Sequence, residues 1–264
     1  MKRLLLIAAA AASLFAATAA QAGPFILAGT DADDHGMITA GLNDDGWLFM
    51  QRALENIAVG VTTGIKHVTI LGSTGKAGTA ANSAFNLSSL VGAGWTVSTV
   101  TNYVSFFGAG GNLGTGILMM DSGSNVAGGV VGTTFNPYAA DINNFLGAGG
   151  GLFSQANGYS WLNTLIAGIT TPSESSTGLS LTAAGMTTFP GLTNADLSAG
   201  PYHQRFNNIG ALSVFATSNS TGNAIIIGGT GGSITNPSVP EPTSLALVGL
   251  ALAGVAVSIK RKRA

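Results

Sequence analysis

Short apolar runs alternate along the chain with stretches in which apolar residues recur every three or four positions. Phe25-Ile26-Leu27-Ala28 is an apolar run of strand length. It breaks into the acidic segment Gly29-Thr30-Asp31-Ala32-Asp33-Asp34-His35-Gly36. Asn43, Asp44 and Asp45 then predict a helix start, an N-cap followed by anions placed against the helix dipole. Trp47, Met50, Leu54, Ile57 and Ala58 follow at helical spacing, and Gly60 ends the segment. His67 to Leu71 predicts a second strand, Ala80 to Val91 a weaker helix, and Trp95 to Val100 a third strand. The connection from Leu71 to Trp95 is long enough for a crossover helix joining parallel strands.

Gly116 to Met120 predicts a fourth strand, ending at Asp121-Ser122-Gly123. Asn136-Pro137 supplies an N-cap and a first-turn proline, and Tyr138, Ile142, Phe145 and Leu146 form one apolar face before Gly147. Gly149-Gly150-Gly151-Leu152-Phe153 leads into Ser154 and an expected helix through Trp161, Leu162 and Leu165. Residues 170–208 are rich in Ser, Thr, Gly and Pro and read as loops with short pieces of structure. Ala211 to Ala216 and Ala224 to Ile227 read as two late strands, with Asn219-Ser220-Thr221-Gly222 as turn chemistry between them. Strands alternating with helices predict an α/β fold over residues 23–228: a three-layer, mostly parallel sheet with helices on both faces. Residues 229–238 read as a Gly/Ser/Pro linker.

The two ends have a different character. Residues 1–22 carry a Lys2-Arg3 n-region, an apolar run from Leu4, and Ala20-Gln21-Ala22, which fits the small-x-small cleavage rule. They read as a secretory signal helix removed by signal peptidase after Ala22. Near the other end Leu245 to Ile259 is an unbroken run of apolar and small residues apart from Ser258, and Lys260-Arg261-Lys262-Arg263 follows at once. A transmembrane helix is expected at 243–259, with the basic cluster on the cytoplasmic side of the inner membrane. Just before it stands Val239-Pro240-Glu241-Pro242. The motif, the short apolar helix and the basic cluster, in that order over residues 239–264, resemble the PEP-CTERM sorting signal of Gram-negative bacteria. That resemblance implies removal of the tail by an exosortase-type transpeptidase, release or attachment at the cell surface, and a setting in which exopolysaccharide is a partner.

Composition narrows the function classes. Charged residues make up 8 % of the 264, and six of the ten basic ones lie at the two ends. The stretch between them keeps Arg52, Lys66, Lys76 and Arg205 against ten acids, a net charge of −6. An acidic body with so few cations excludes a nucleic-acid binder, which needs Lys and Arg for phosphate contacts. The chain has no cysteine, which excludes thiolate catalysis, Cys-ligated metals and disulfides.

Three segments carry candidate chemistry. Asp31, Asp33 and Asp34 with His35 are the densest group of hard ligands, and carboxylates held close invite a cation such as Ca²⁺. Asp31-x-Asp33-x-x-Gly36 starts like an EF-hand loop but departs from it at His35 and Leu42. Gly72-Ser73-Thr74-Gly75-Lys76-Ala77 misses the phosphate-loop pattern, with Ile70 in place of the first glycine and Ala77 in place of Ser or Thr.

The third segment, Asp141-Ile142-Asn143-Asn144-Phe145-Leu146-Gly147-Ala148-Gly149-Gly150-Gly151-Leu152-Phe153, resembles an element of class I glutamine amidotransferase-like domains. There a helix leads into a Gly-rich strand and the nucleophile turn. The resemblance implies a flavodoxin-like fold and puts Ser154 at the nucleophile position, where the catalytic families carry cysteine, with His203 as the one late histidine that could serve as base. Leu152 and Ala156 replace the glycines of a G-x-S-x-G elbow. The expected function is therefore that of an exported envelope or matrix protein with a non-catalytic binding or structural body. The competing expectation is an exported hydrolase using Ser154 and His203.

The mature chain is expected to begin at Gly23. Amino-terminal sequencing of exported protein checks this, and an intact Met1-Lys2-Arg3 terminus on the exported form would refute it.

Overall fold

A computed structural model describes residues 24–108, 114–120, 132–155, 158–164 and 168–229. The expected signal helix 1–22, Asp121-Ser122-Gly123, the linker beyond Gly229, the motif Val239 to Pro242, the transmembrane helix 243–259 and the cluster Lys260 to Arg263 lie outside those residues. Among the described residues no helix is long and apolar enough to cross a membrane.

In chain order the strands and helices are β1 (Phe25–Ala28), β2 (Gly36–Thr39), β3 (Leu42–Asp45), α1 (Gly46–Gly60), β4 (His67–Leu71), α2 (Gly75–Asn86), α3 (Ser89–Gly92) and β5 (Thr96–Val100). Then come α4 (Tyr103–Gly108), β6 (Ile117–Met120), α5 (Ala139–Gly147), β7 (Gly151–Gln155), β8 (Ser173–Ser176) and β9 (Leu179–Leu181). The last are α6 (Ala183–Thr188), α7 (Asn194–Leu197), β10 (Tyr202–Gln204), β11 (Ser213–Ser218) and β12 (Ala224–Gly229). Two 3₁₀ segments, Gly132–Tyr138 and Ser160–Thr164, flank α5 and β7.

Eight strands form one mixed sheet in the order β5-β4-β6-β7-β1-β12-β11-β9. The five from β5 to β1 are parallel, and β12, β11 and β9 continue the sheet antiparallel. The sheet is thus mainly parallel, with an antiparallel wing that the alternation of elements before residue 165 did not foretell. Numbered by sequence among themselves, the parallel strands run 3-2-4-5-1 across the sheet, whereas flavodoxin-type sheets run 2-1-3-4-5. The two orders coincide only when counting starts at β4, which leaves β1 in the fifth place, at the border with the antiparallel wing. There Phe25, the first residue of β1, pairs with Gly229, the last of β12.

Side chains alternate across the strands, so each face of the sheet builds its own core. Ile26, Ala28, Val68, Ile70, Ile117, Met119 and Phe153 face α1 and α2, and α1 returns Phe49, Met50, Ala53, Leu54 and Ile57, all fully buried. Each large side chain removed from water this way contributes roughly 1.5–3 kcal/mol. Phe25, Leu27, Leu71, Leu118, Met120 and Leu152 face the other way, against Ile142, Phe145 and Leu146 of α5 and the rings of Tyr159 and Trp161.

Several local expectations give way. The helix opens directly after this triplet, at Gly46, with Asp45 at its N-cap position but making no side-chain cap bond. Asn43 to Asp45 themselves lie in β3, paired with β2 through a turn in which Ala40 and Gly41 both have positive φ, 51° and 82°, as a two-residue hairpin turn requires. Asn43 instead donates to Gln51 Oε1 and to the Ser83 carbonyl, pinning the hairpin to α1 and α2. The strand after the glycine run does not stop at Phe153, because Ser154 and Gln155 extend β7 and are 1 % and 0 % exposed. Of the expected helix beyond it, the described residues form the 3₁₀ turn Ser160–Thr164, and Leu165 lies outside them. Asn136 and Pro137 sit inside a 3₁₀ segment, and the α-helix starts at Ala139. Between residues 170 and 208 the chain forms β8, β9, β10, α6 and α7.

The β8–β10 pair is fastened through Glu174. Arg205 Nη1 (2.8 Å), Thr221 Oγ1 (2.6 Å) and Asn223 Nδ2 (2.7 Å) all donate to its carboxylate, tying β8, β10 and the β11–β12 turn together. Burial pushes this carboxyl up, but the three donors and the Arg205 charge outweigh it and hold it below the usual glutamate value. A folded-state pKa held low contributes stability above the unfolded value near 4.5, and that contribution fades as pH falls through the folded value. Glu174→Gln should therefore lower the urea midpoint at pH 7. The gap to wild type should close on titration below pH of about 4; a gap unchanged from pH 7 to acid would refute the assignment.

Candidate functional site

The site lies where β1 ends. Gly29 donates its N–H to the Ile225 carbonyl (2.8 Å), and its own carbonyl accepts from His203 N (2.7 Å) and Gln204 N (3.2 Å). Thr30 bridges Tyr202. The chain can lie this close only because residue 29 has no side chain: a Cβ there would stand 1.9 Å from the Gln204 carbonyl oxygen. That contact carries β10 across the carboxyl end of β1 and delivers His203 to Asp31.

The Asp31 to Gly36 segment is then tied down through its own carbonyls. Asp34 N donates to Asp31 O (2.9 Å), Trp47 Nε1 to Asp33 O (2.9 Å), Gly46 N to His35 O (2.8 Å) and Lys76 Nζ to Asp34 O (2.5 Å). With the backbone fixed by these four donors, the side chains diverge. Asp33 is fully buried and turned inward, where Gln155 Nε2 donates to its Oδ1 (3.2 Å). Asp31 is 3 % exposed and turned the other way. Its Oδ2 lies 2.9 Å from His203 Nε2 and 3.4 Å from His35 Nε2, both rings about a third exposed. The Asp31 Oδ1 and Thr30 Oγ1 atoms are buried and have no hydrogen-bond partner among the described residues. Gly200 packs against the His35 ring, where a Cβ would stand 2.1 Å from the ring carbon Cγ.

Of the expected ligand trio, the structure keeps Asp31 and Asp34 on one side with His35, their ligating atoms within 4.8 Å of one another, and sends Asp33 elsewhere. The acidic loop is half buried, with Trp47, Gly46 and Lys76 bonded to its carbonyls. A small cavity of about 10 Å³ opens beside it, lined by Thr30, Asp31, His35, Asp196 and Gly200 among others. Asp196 belongs to a second acidic group with Asp44 and Asp45. Burial, the neighbouring Asp44 and then Asp196 push the Asp45 carboxyl above its ordinary value.

Ser154 and His203 do not come together. Ser154 is a strand residue buried at 1 %, and no hydrogen bond joins it to His203 among the described residues. Its backbone carbonyl accepts from Tyr159 Oη (2.7 Å), which also accepts the Ala28 N–H (3.1 Å). His203 is engaged with Asp31 instead. Thr30, Asp196 and Gly200 are parts of the site that sequence reading missed. Gly200-Pro201 does mark a turn just before His203, but nothing local links it to Asp31, which is 172 residues away.

Residues 238–262 match the family described as the PEP-CTERM protein-sorting motif. The match covers the tail and none of the body. No curated protein and no solved structure matches the chain at a significant level.

Gly29→Ala tests the crossing that builds the site. The added methyl must displace the Gln204 carbonyl, and forced overpacking of this kind costs about 1–3 kcal/mol. A lower urea midpoint with unchanged slope is expected. Gly92→Ala, at a position with nothing within 4 Å, should stay within about 0.5 kcal/mol of wild type. Equal effects of the two substitutions would refute the close approach.

Proposed function

We propose that this is an exported protein of the bacterial envelope or extracellular matrix. In this reading signal peptidase removes residues 1–22, an exosortase-type transpeptidase removes the tail at Val239-Pro240-Glu241-Pro242, and the body binds a partner and catalyses no reaction. The observation that carries the reading is the match of residues 238–262 to the PEP-CTERM protein-sorting motif, which implies an exported protein anchored in the membrane and then passed to the cell surface by an exosortase-type enzyme. The order of motif, apolar run and Lys260-Arg261-Lys262-Arg263 agrees with it.

The binding reading of the body draws on its chemistry. A serine nucleophile needs a base within hydrogen-bond reach, and Ser154 lies inside a buried strand while His203 is spent on Asp31. The concentration of polar side chains at the carboxyl end of β1, where ligands of open α/β sheets bind, favours that pole as the binding surface. Matrix exopolysaccharide is the partner class we propose for that surface.

Intact-mass analysis of the chain expressed in a host with an active exosortase, and in the same host with that enzyme deleted, decides the sorting step. Surface-released protein lacking everything beyond the motif is expected in the first host and not in the second. Released protein that still ends in Arg263 and Ala264 would overturn the reading.

A further inference from the structure

The eight-stranded sheet has two outer strands, β5 and β9. An outer strand presents a row of main-chain donors and acceptors that can pair with another chain, and folded proteins blunt such edges by covering, shortening, bulging or charging them. At β9 the chain does this. The strand is three residues long, and its outward groups are met by α7 and the residue after it. Leu179 N–H donates to Ser198 Oγ (2.9 Å), Leu181 N–H donates to Asn194 Oδ1 (2.8 Å), and the Leu179 carbonyl accepts from Ser198 Oγ (3.3 Å).

No such cover lies on β5 among the described residues. Thr96 N donates to the Lys66 carbonyl (3.0 Å) and Gly72 N to the Val100 carbonyl (2.8 Å), so the main-chain groups of the even-numbered residues face β4. Val97 and Thr99 then turn their N–H and C=O groups outward, and none of the four has a partner among the described residues. The strand holds no charge, proline or glycine, three of its five residues are exposed, and its pairing with β4 runs without a register shift. Its inner side is held firmly. His67 Nδ1 lies 2.8 Å from Thr96 Oγ1, and Nε2 lies 2.8 Å from Ser98 Oγ.

We infer that β5 is a self-association edge, pairing antiparallel with β5 of a second copy about a two-fold axis at Ser98. The occupant follows from the geometry. Around that axis Val97 of each copy stands opposite Thr99 of the other, each such pair exchanges two N–H···O=C bonds, and these bonds use every outward group of both strands. A two-fold contact presents the same patch from both sides, so the patch must complement itself. This one does, being uncharged and having its outward residues placed evenly about Ser98. On one face Val97 meets Thr99, and on the other Thr96 meets Val100, all four β-branched. The sheet already takes an antiparallel strand beside a parallel one where β12 joins β1. A contact along five residues is small, so the pair is weak and forms where copies are held close together. The inference does not rest on the sorting reading, because β5 belongs to the body whether or not the tail is removed.

The chain has no cysteine, so a single introduced thiol reports the pairing. Ser98→Cys in the full chain, under mild oxidation, is expected to give a disulfide-linked dimer. Residues facing each other in a non-hydrogen-bonded antiparallel pair lie about 4.5 Å apart at Cα, within disulfide reach. Thr99→Cys should link at least about tenfold more slowly, because two such thiols are diagonal across the axis, about 7–8 Å apart. All variants carry the same terminal segments, so differences between them arise at β5. Thr99→Pro in the Ser98→Cys background removes an outward donor and no bond to β4, and should lower dimer yield at least about tenfold. Thr99→Lys in that background, at an exposed position, should do the same, and circular dichroism melts identify the folded variants. Absence of a Ser98-linked dimer overturns the inference, as when another stretch of this chain lies along β5. So does linkage of Thr99→Cys as fast as that of Ser98→Cys, which marks random collision, or undiminished linkage in the folded Thr99→Lys variant.

Discussion

The rest of the site depends on what it takes to hide the carboxylate of Asp31. A carboxylate at 3 % exposure is strongly unfavourable unless donors or cations surround it. The chain meets that demand with groups drawn from two places. His35 comes from the same loop, His203 from β10, and the close passage at Gly29 makes the second of these possible. The main-chain bonds from His203 and Gln204 to the Gly29 carbonyl and the Thr30–Tyr202 bridge hold β10 where His203 reaches Asp31.

A domain with no disulfides and few charges has to hold together by packing. Two separate apolar cores, one on each face of the eight-stranded sheet, do most of this, with aromatic edges such as Phe49 against Phe153 and Phe189 within the first. Polar fastening is kept for places where irregular chain must be fixed. The hydroxyl of Tyr159 sits between the ends of β1 and β7, where it meets the Ala28 and Ser154 carbonyls, and burial drives its ionisation well above the ordinary tyrosine range. That keeps it a neutral hydrogen-bonding group at every pH the protein meets. Asn43 and Glu174 play the same part for the β2–β3 hairpin and the β8–β10 pair.

Much of the framework could be read from the chain. Phe25 to Ala28, His67 to Leu71 and Gly116 to Met120 are apolar runs of strand length, and Trp47 to Ile57 has an unmistakable helical period; all four stand as elements. The failures share a physical origin. Asn43 to Asp45 look like a cap because local chemistry favours one, yet the hairpin turn at Ala40-Gly41 and the partners of Asn43 on α1 and α2 are tertiary facts. Ser154 and Gln155 look like a turn because they are polar. Gln155 is buried because Asp33, 122 residues earlier, is there to meet it. Of the antiparallel wing, β11 and β12 were legible as two late strands about the Asn219 to Gly222 turn, whereas β9, three residues within a Ser/Thr/Gly-rich stretch, carries too little period to be read. Within the site, Asp31, Asp34 and His35 announce themselves by adjacency. His203 does not, because its role is set by a chain crossing that no local pattern encodes.

The pairing of Phe25 with Gly229 has a mechanical consequence. The first strand of the body begins, and its last strand ends, side by side, so the segments joined at either terminus leave from one pole of the domain. Asp31 lies six residues along from Phe25, about 20 Å away at the rise of an extended chain, toward the opposite pole. Whichever end holds the molecule to a membrane or to a processing enzyme, the pull is applied at that one pole. Force on either leash is borne by β1 and β12 lying against each other, and the far end of β1, with Asp31 and its two imidazole partners from the loop and β10, stands away from the load.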